Sequence, residues 1–295
     1  MQATTIPSAQ LKDYLVKSQE LIDHYLELHL PPKTGPASRL TDAMRYSLFA
    51  GGKRIRPILA LAVYELFGGQ GQAIFYATSA LEMIHTFSLI HDDLPCMDDD
   101  DFRRGKPTNH KAFDEATAVL AGDALCIRAF ELLGYTGNAN CVATLSRSLG
   151  TDGMLGGQME DILCEGKQVT IEQVQFIHLH KTAALIEASL VMGAQLAGAS
   201  EDQTQAIAQY GYNIGLAFQI VDDILDIVQT TETLGKDAGS DALREKATYP
   251  AVLGLEKSKV LAEELRIKAI NALKPIQAQT TILEEMAEYI VKRIN

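Results

Sequence analysis

Between His85 and Gly105 the chain reads HTFSLIHDDLPCMDDDDFRRG, six aspartates inside ten positions with two adjacent arginines close behind. Carboxylates packed that closely repel one another, and a folded chain gains nothing from them unless something cationic sits between them. The first two, Asp92 and Asp93, fall in an apolar helical run, Thr78 to Leu94. A second run, GLAFQIVDDILDIV, repeats the arrangement much later with Asp222, Asp223 and Asp226. Two acid-bearing helices so far apart in sequence can face each other across a shared cavity. That pairing is what most restricts the fold.

The later run has the cleaner geometry. Helical spacing sets Gly215, Gln219, Asp222 and Asp226 along one stripe, while Phe218, Val221, Leu225 and Val228 cover the other directions. A helix so apolar on its remaining sides is buried, and buried unpaired carboxylates are costly. Hard divalent cations relieve that cost, and Mg²⁺ keeps several waters while taking one or two carboxylates plus phosphate oxygens. In the earlier run His85, Ser88 and Asp92 share a stripe. An ideal wheel continues to Asp99 rather than Asp98, but Pro95 interrupts the helix between them. Arg103 and Arg104 are too few to neutralise six aspartates and are suited to gripping a diphosphate that metals also hold.

Further basic signals lie elsewhere. AGGKRIRP, Ala50 to Pro57, sets paired glycines before Lys53, Arg54 and Arg56, so a backbone free to approach an anion adjoins cations. Lys181 and Thr182 in HLHKTAALI, and Lys236 in LGKDAG, are further candidate phosphate contacts.

Composition fits this picture. The 295 residues are 47% apolar with 9 prolines, and few segments alternate apolar with polar over strand length, which favours helices. Helical patterns run from Leu11 to Leu28, Thr78 to Leu94 and Glu201 to Val228, and no stretch reads as an interdomain linker. One large all-α domain spanning residues 1–295 is the simplest organisation. The N-terminus has neither a basic start nor an apolar run, so no signal peptide is expected. The segment read as most apolar, Ile58 to Phe67, is too short to span a bilayer, so a core helix and no stable membrane insertion are expected. Four cysteines without C-x-x-C spacing suit a reducing cytoplasm. A net charge of −12 argues against nucleic acid, but admits a small phosphorylated substrate bridged by divalent metals.

Taken in order, GGKRIRP, IHTFSLIHDDLPCMDDDDFRRGKPTNH, LAGDAL, GGQMED, HKTAALI, FQIVDDILD and GKDAGSDALREKATYP resemble the trans-isoprenyl diphosphate synthases over nearly the whole chain. The Pro-Cys insertion within the first aspartate motif resembles the bacterial short-chain branch typified by farnesyl diphosphate synthase. The resemblance implies an all-α fold around a deep central cavity, a homodimer, and about three Mg²⁺ ions, with Mn²⁺ able to substitute. It implies metal ligation by Asp92, Asp98 and Asp222, with Asp93, Asp223 and Asp226 in support. It assigns Arg103, Lys181, Thr182, Gln219 and Lys236 to the allylic diphosphate. Lys53, Arg56, His85 and Arg104 are assigned to isopentenyl diphosphate.

The implied reaction is head-to-tail condensation of isopentenyl diphosphate with dimethylallyl and geranyl diphosphates, in isoprenoid biosynthesis. Phe87 and Ser88, five and four residues before Asp92, are the expected chain-length positions. An aromatic residue at 87 goes with a C15 product, farnesyl diphosphate, although Phe stands where the branch would be expected to carry Tyr. Geranylgeranyl diphosphate by the same chemistry is the alternative. A class I terpene cyclase would not need the metal-free basic site, and an inactive regulatory homologue would be expected to have lost an aspartate motif.

Overall fold

The structure, a computed structural model, describes residues 7–228 and 246–292. It begins with α1 (Ala9–His29), whose N-terminus is capped by the Ser8 hydroxyl accepting from Leu11 N at 3.0 Å. After α2 (Ser38–Leu48) comes α3 (Ile55–Leu66), buried continuously from Pro57 to Tyr64, as the apolar sequence there predicts. Next is α4 (Ala73–Asp92), which starts earlier than its sequence pattern and stops three residues short of Pro95. Proline has no N–H to donate and disfavours helical geometry in Leu94, so the helix ends before it. It is α4, rather than the segment from Ile58 to Phe67, that is long and apolar enough to cross a bilayer, and 67% of its apolar window is buried inside the protein.

A departure from pure helix follows. Phe102–Arg103 (β1) pairs antiparallel with Lys106–Pro107 (β2), and the intervening Arg104 and Gly105 both take positive φ, 55° and 73°. Two such residues in succession make the turn that matches strand twist. From this hairpin Arg103 reaches Asp93 and Arg104 the Gly51 carbonyl.

The chain continues through α5 (Asn109–Ala112), α6 (Glu115–Tyr135), α7 (Ala139–Leu149), α8 (Met154–Cys164) and α9 (Ile171–His178). A single π turn, Leu179–Ala183, leads into α10 (Ala184–Ala197) and the 28-residue α11 (Glu201–Val228). Beyond residue 245 come α12 (Tyr249–Leu253), α13 (Leu255–Ala272) and α14 (Thr281–Val291).

Two apolar clusters organise these helices. One gathers α2, α4 and α6; the other gathers α11, α13 and α14. Helices α3 and α10 belong to both: Ile58 and Leu61 face one cluster, Leu59 and Val63 the other. Such a helix is apolar all round and must lie in the interior. The partition leaves the C-terminal ends of α4 and α11 on opposite walls of a common cavity.

Candidate active site

At the end of α4 the backbone folds back, and Asp98 N donates to the Asp92 carbonyl at 2.8 Å. Asp98 is thereby set beside Asp92, while Asp99, at φ 49°, turns out to solvent. The turn overrides the ideal wheel, which selects Asp99.

Much of the cluster's repulsion is answered by the chain's own cations. Arg103 donates from Nε to Asp93 Oδ1 at 2.6 Å and reaches Asp100 at 3.3 Å. Lys111 pairs with Asp101 at 2.7 Å, and Lys246 with Asp98 at 3.0 Å. Burial raises the pKa of Asp92; Lys181 opposes the shift and Asp98 adds to it. Burial pushes Asp93 up to about 6 against the pull of Arg103.

On the opposite wall Asp222 lines the same cavity. Asp223 accepts from Gln219 Nε2 at 3.1 Å and from Tyr249 N at 3.0 Å, with His178 Nε2 3.4 Å away. It therefore ties the start of α12 to α11. Asp226 is buried one turn on and lies outside the lining of the main cavity and of the polar pocket beside it.

The π turn presents Lys181 and Thr182 between these walls. It fits because a Cβ on Gly157 of α8 would stand 2.3 Å from Lys181 N, and one on Gly215 of α11 would stand 2.8 Å from Ala183 Cα. Lys181 Nζ donates to Asp161 at 2.6 Å, and the Thr182 hydroxyl to Gln219 Oε1 at 2.8 Å. Burial alone would lower the Lys181 pKa, but Asp161, Asp92 and Asp98 outweigh it and hold it raised.

The third component is basic. Gly51 and Gly52 take φ of 106° and 135°, and Arg54 at φ 51° opens α3. Arg54 is buried, donating to Glu82 at 2.6 Å, to Asp23 at 2.8 Å and to the Leu48 carbonyl at 2.8 Å. Arg56 faces the cavity with a buried Nε that finds no hydrogen-bond partner among the described residues. Arg104 donates to the Gly51 carbonyl. Burial, followed by Arg56 and Arg104, lowers His85 well below its usual range, so its imidazole is neutral. Lys53 is exposed and outside the linings of the two pockets, unlike Arg56 and Arg104.

The cavity occupies about 650 Å³, within the usual range for ligand sites. Its charged and polar lining includes Arg56, His85, Asp92, Arg103, Arg104 and Asp222. Its apolar lining includes Phe87, Leu94, Met97, Leu185 and Phe218. Ser88 lines it as well, with its hydroxyl bonded to the His85 carbonyl at 2.9 Å. An adjoining polar pocket of about 220 Å³ brings Asp92, Asp98 and Asp222 together with Lys181 and Lys246. Among the described residues no three carboxylate, imidazole or thiol groups converge to chelate an ion by themselves. The donor set suits Mg²⁺ whose coordination is completed by phosphate oxygens and water.

All the expected site residues but four meet at these pockets: Lys53 is exposed beside them, Asp93 sits behind Arg103, Asp226 is buried away, and Lys236 lies outside the described residues. Sequence reasoning missed Lys246, which stands in KATYP with no spacing to mark it, and the buried partners Glu82, Asp161 and His178.

A helical cup with acidic walls, a basic corner and an apolar lining defines an enzyme that handles isoprenoid diphosphates. The polyprenyl synthetase family profile matches residues 37–290, and the chain belongs to that family, the prenyltransferases that elongate isoprenoid chains. It is 46% identical over 296 residues to geranylgeranyl pyrophosphate synthase 12, chloroplastic, of Arabidopsis thaliana, covering 96% of this chain and 82% of the relative. A putative farnesyl-diphosphate synthase from Marinomonas sp. MED121 superposes with a TM-score of 0.81 at 41% identity, covering 95% of this chain and 98% of the other. A geranyltransferase from Helicobacter pylori, complexed with magnesium and isoprenyl diphosphate, gives 0.83 at 35% identity over 97% of both chains. Curated relatives described as chloroplastic overturn the cytoplasmic expectation, since unpaired cysteines record a reducing environment but no particular compartment.

Proposed function

We propose that the chain condenses isopentenyl diphosphate head-to-tail with an allylic diphosphate, extending it to geranylgeranyl diphosphate. One observation carries the two-substrate reading. Arg56, a buried guanidinium with an unmet donor, shares a cavity with Asp92 and Asp222, so two chemically different anion sites open onto one apolar space. A terpene cyclase, with one diphosphate to hold, has no use for the second.

Asp92 and Asp98 on one wall and Asp222 on the other are the proposed ligands for about three Mg²⁺ ions, or Mn²⁺, which supply Lewis-acid stabilisation of the departing diphosphate. Asp93 and Asp223 support those walls, the first by fixing Arg103 and the second by fixing Gln219 and Tyr249. Arg103, Lys181, Thr182, Gln219 and Lys246 hold the allylic diphosphate, with Lys236 the further family candidate. Arg56, Arg104 and neutral His85 hold isopentenyl diphosphate, and Lys53 adds charge from the rim. Charge growing on the leaving group is met by groups already in place, so the allylic C–O bond ionises. The double bond of isopentenyl diphosphate, fixed nearby, attacks the cation, and the proton lost passes to the released diphosphate. Apolar walls keep water from the cation.

Product length has support on both sides. Curated relatives at 45–50% identity are described as geranylgeranyl pyrophosphate synthases, which favours C20. A farnesyl end product keeps one observation in its favour, the Phe87 ring in the cavity wall. A homodimer is supported by an exposed apolar stripe, Leu155, Met159 and Leu163, that recurs every fourth residue along α8, with Ile127 of α6 70% exposed.

The test is to incubate the protein with Mg²⁺, labelled isopentenyl diphosphate and each allylic primer, and to size the products. Elongation to C20 is expected. Accumulation of C15 alone would overturn the length assignment, and no elongation from any primer would overturn the function.

A further inference from the structure

Phe87 does not line the cavity alone. Its ring meets the His91 imidazole edge-on, with centroids 4.9 Å apart, one turn along α4. His91 is fixed in turn on α6: its Nε2 lies 3.1 Å from the Val119 carbonyl, which can only accept, so this nitrogen carries the proton and donates. The ring lies so close to α6 that a Cβ on residue 122 would stand 2.2 Å from His91 Nε2, and residue 122 is glycine. Both rings line the cavity.

We infer that His91 is a specificity-determining residue, acting as the positioning residue for Phe87: clamped between that ring and the bare backbone at Gly122, it fixes where the elongation cavity ends. This rests on the elongation reading above. The physical basis is close packing. A phenyl ring on α4 can swing about its side-chain torsions unless a neighbour occupies the space it would enter. His91 occupies that space, and the bond to Val119 keeps it from following the ring. A growing chain therefore meets a fixed wall rather than one that yields by an isoprene unit.

The arrangement gives opposite results for two substitutions. His91→Ala frees the Phe87 ring to swing aside, which deepens the cavity. Gly122→Ala drives the imidazole off α6 toward Phe87 and the cavity, which makes it shallower. The experiment sizes products from the wild type, both variants, Phe87→Ala, and Phe87→Ala combined with His91→Ala, with thermal melts as the folding control. His91→Ala should raise the ratio of longer to normal product by about tenfold, the scale on which small volume changes in apolar pockets discriminate. Gly122→Ala should lower it. In the Phe87→Ala background His91→Ala should add much less than it does alone, because most of its effect passes through the ring. Wild-type product lengths from a folded His91→Ala enzyme would overturn the inference while leaving the function intact. A full additional shift in the Phe87→Ala background would also overturn it, by making His91 a wall in its own right. Failure of the wild type to elongate any primer would instead bring down the function reading, and this inference with it.

Discussion

At Asp92 burial and the neighbouring charge of Asp98 both disfavour ionisation, while Lys181 and Arg103 favour it. A carboxylate so balanced becomes effective when a further cation arrives with the substrate. Asp92→Ala or Asp222→Ala is expected to lower kcat by on the order of 10² or more, read in steady-state assays, as for other groups that stabilise developing charge. Arg56 is the counterpart on the basic side. Its burial and unmet donor mean that the incoming anion completes its bonding. Arg56→Ala should raise KM for isopentenyl diphosphate about tenfold or more, the worth of a hydrogen bond to a charged group, and leave KM for the allylic primer nearly unchanged. Lys53→Ala should do less, because Lys53 is exposed and lies outside the linings of both pockets. An equal or larger effect at Lys53 would refute that ranking.

Among the elements, the π turn is where packing and function are most closely bound. It survives only because α8 and α11 bring glycines against it, so Gly157→Ala must push on the Lys181 backbone. The expected result is a loss of about 1–3 kcal/mol in stability, typical of overpacking, together with a higher KM for the allylic primer. Denaturant melts and kinetics on the same preparation check both halves. The turn's neighbour His178 supplies a pH signature. Burial lowers its pKa from 6.5 to about 3, opposed by Asp161. The folded state therefore keeps the ring neutral while the unfolded chain protonates it below 6.5. Stability is complete above that pH and is lost as pH falls from 6.5 toward 3. His178→Phe should flatten part of this decline, measured by melts above neutrality and at about pH 5. An unchanged slope would show that other groups carry it.

For the molecule as a whole, the charge of −12 sets the terms on which a diphosphate can bind. Protein cations answer Asp93, Asp98, Asp100 and Asp101, and the adjoining pocket gathers Asp92, Asp98 and Asp222 into the space where a diphosphate would bring further negative charge. Turnover should need Mg²⁺ or Mn²⁺ and stop in excess chelator, and activity that persists in EDTA would be fatal to the mechanism. The exposed stripe on α8 makes a separate prediction. On the homodimer proposed above, Met159→Glu, at a site 52% exposed, should shift the sedimenting mass from two chains toward one without unfolding the monomer.

What the sequence determined by itself was local and periodic. Stripes of carboxylates on apolar runs, the breaker Pro95 and the paired glycines of GGKRIRP are written at spacings of one helical turn or less, so the acidic walls, the bulk of the helices and the basic corner could be read from it directly. Only the tertiary structure decided which carboxylates turn inward, because a tight turn folds Asp98 back beside Asp92 and sends Asp99 to solvent. It also decided that Lys246 crosses to Asp98, that Glu82 and Asp23 hold Arg54, and that His91 lies over Gly122. Those contacts join residues from 28 to 148 positions apart. No periodicity encodes such pairs; they exist only once packing has brought together α1, α3, α4, α6 and the segment before α12.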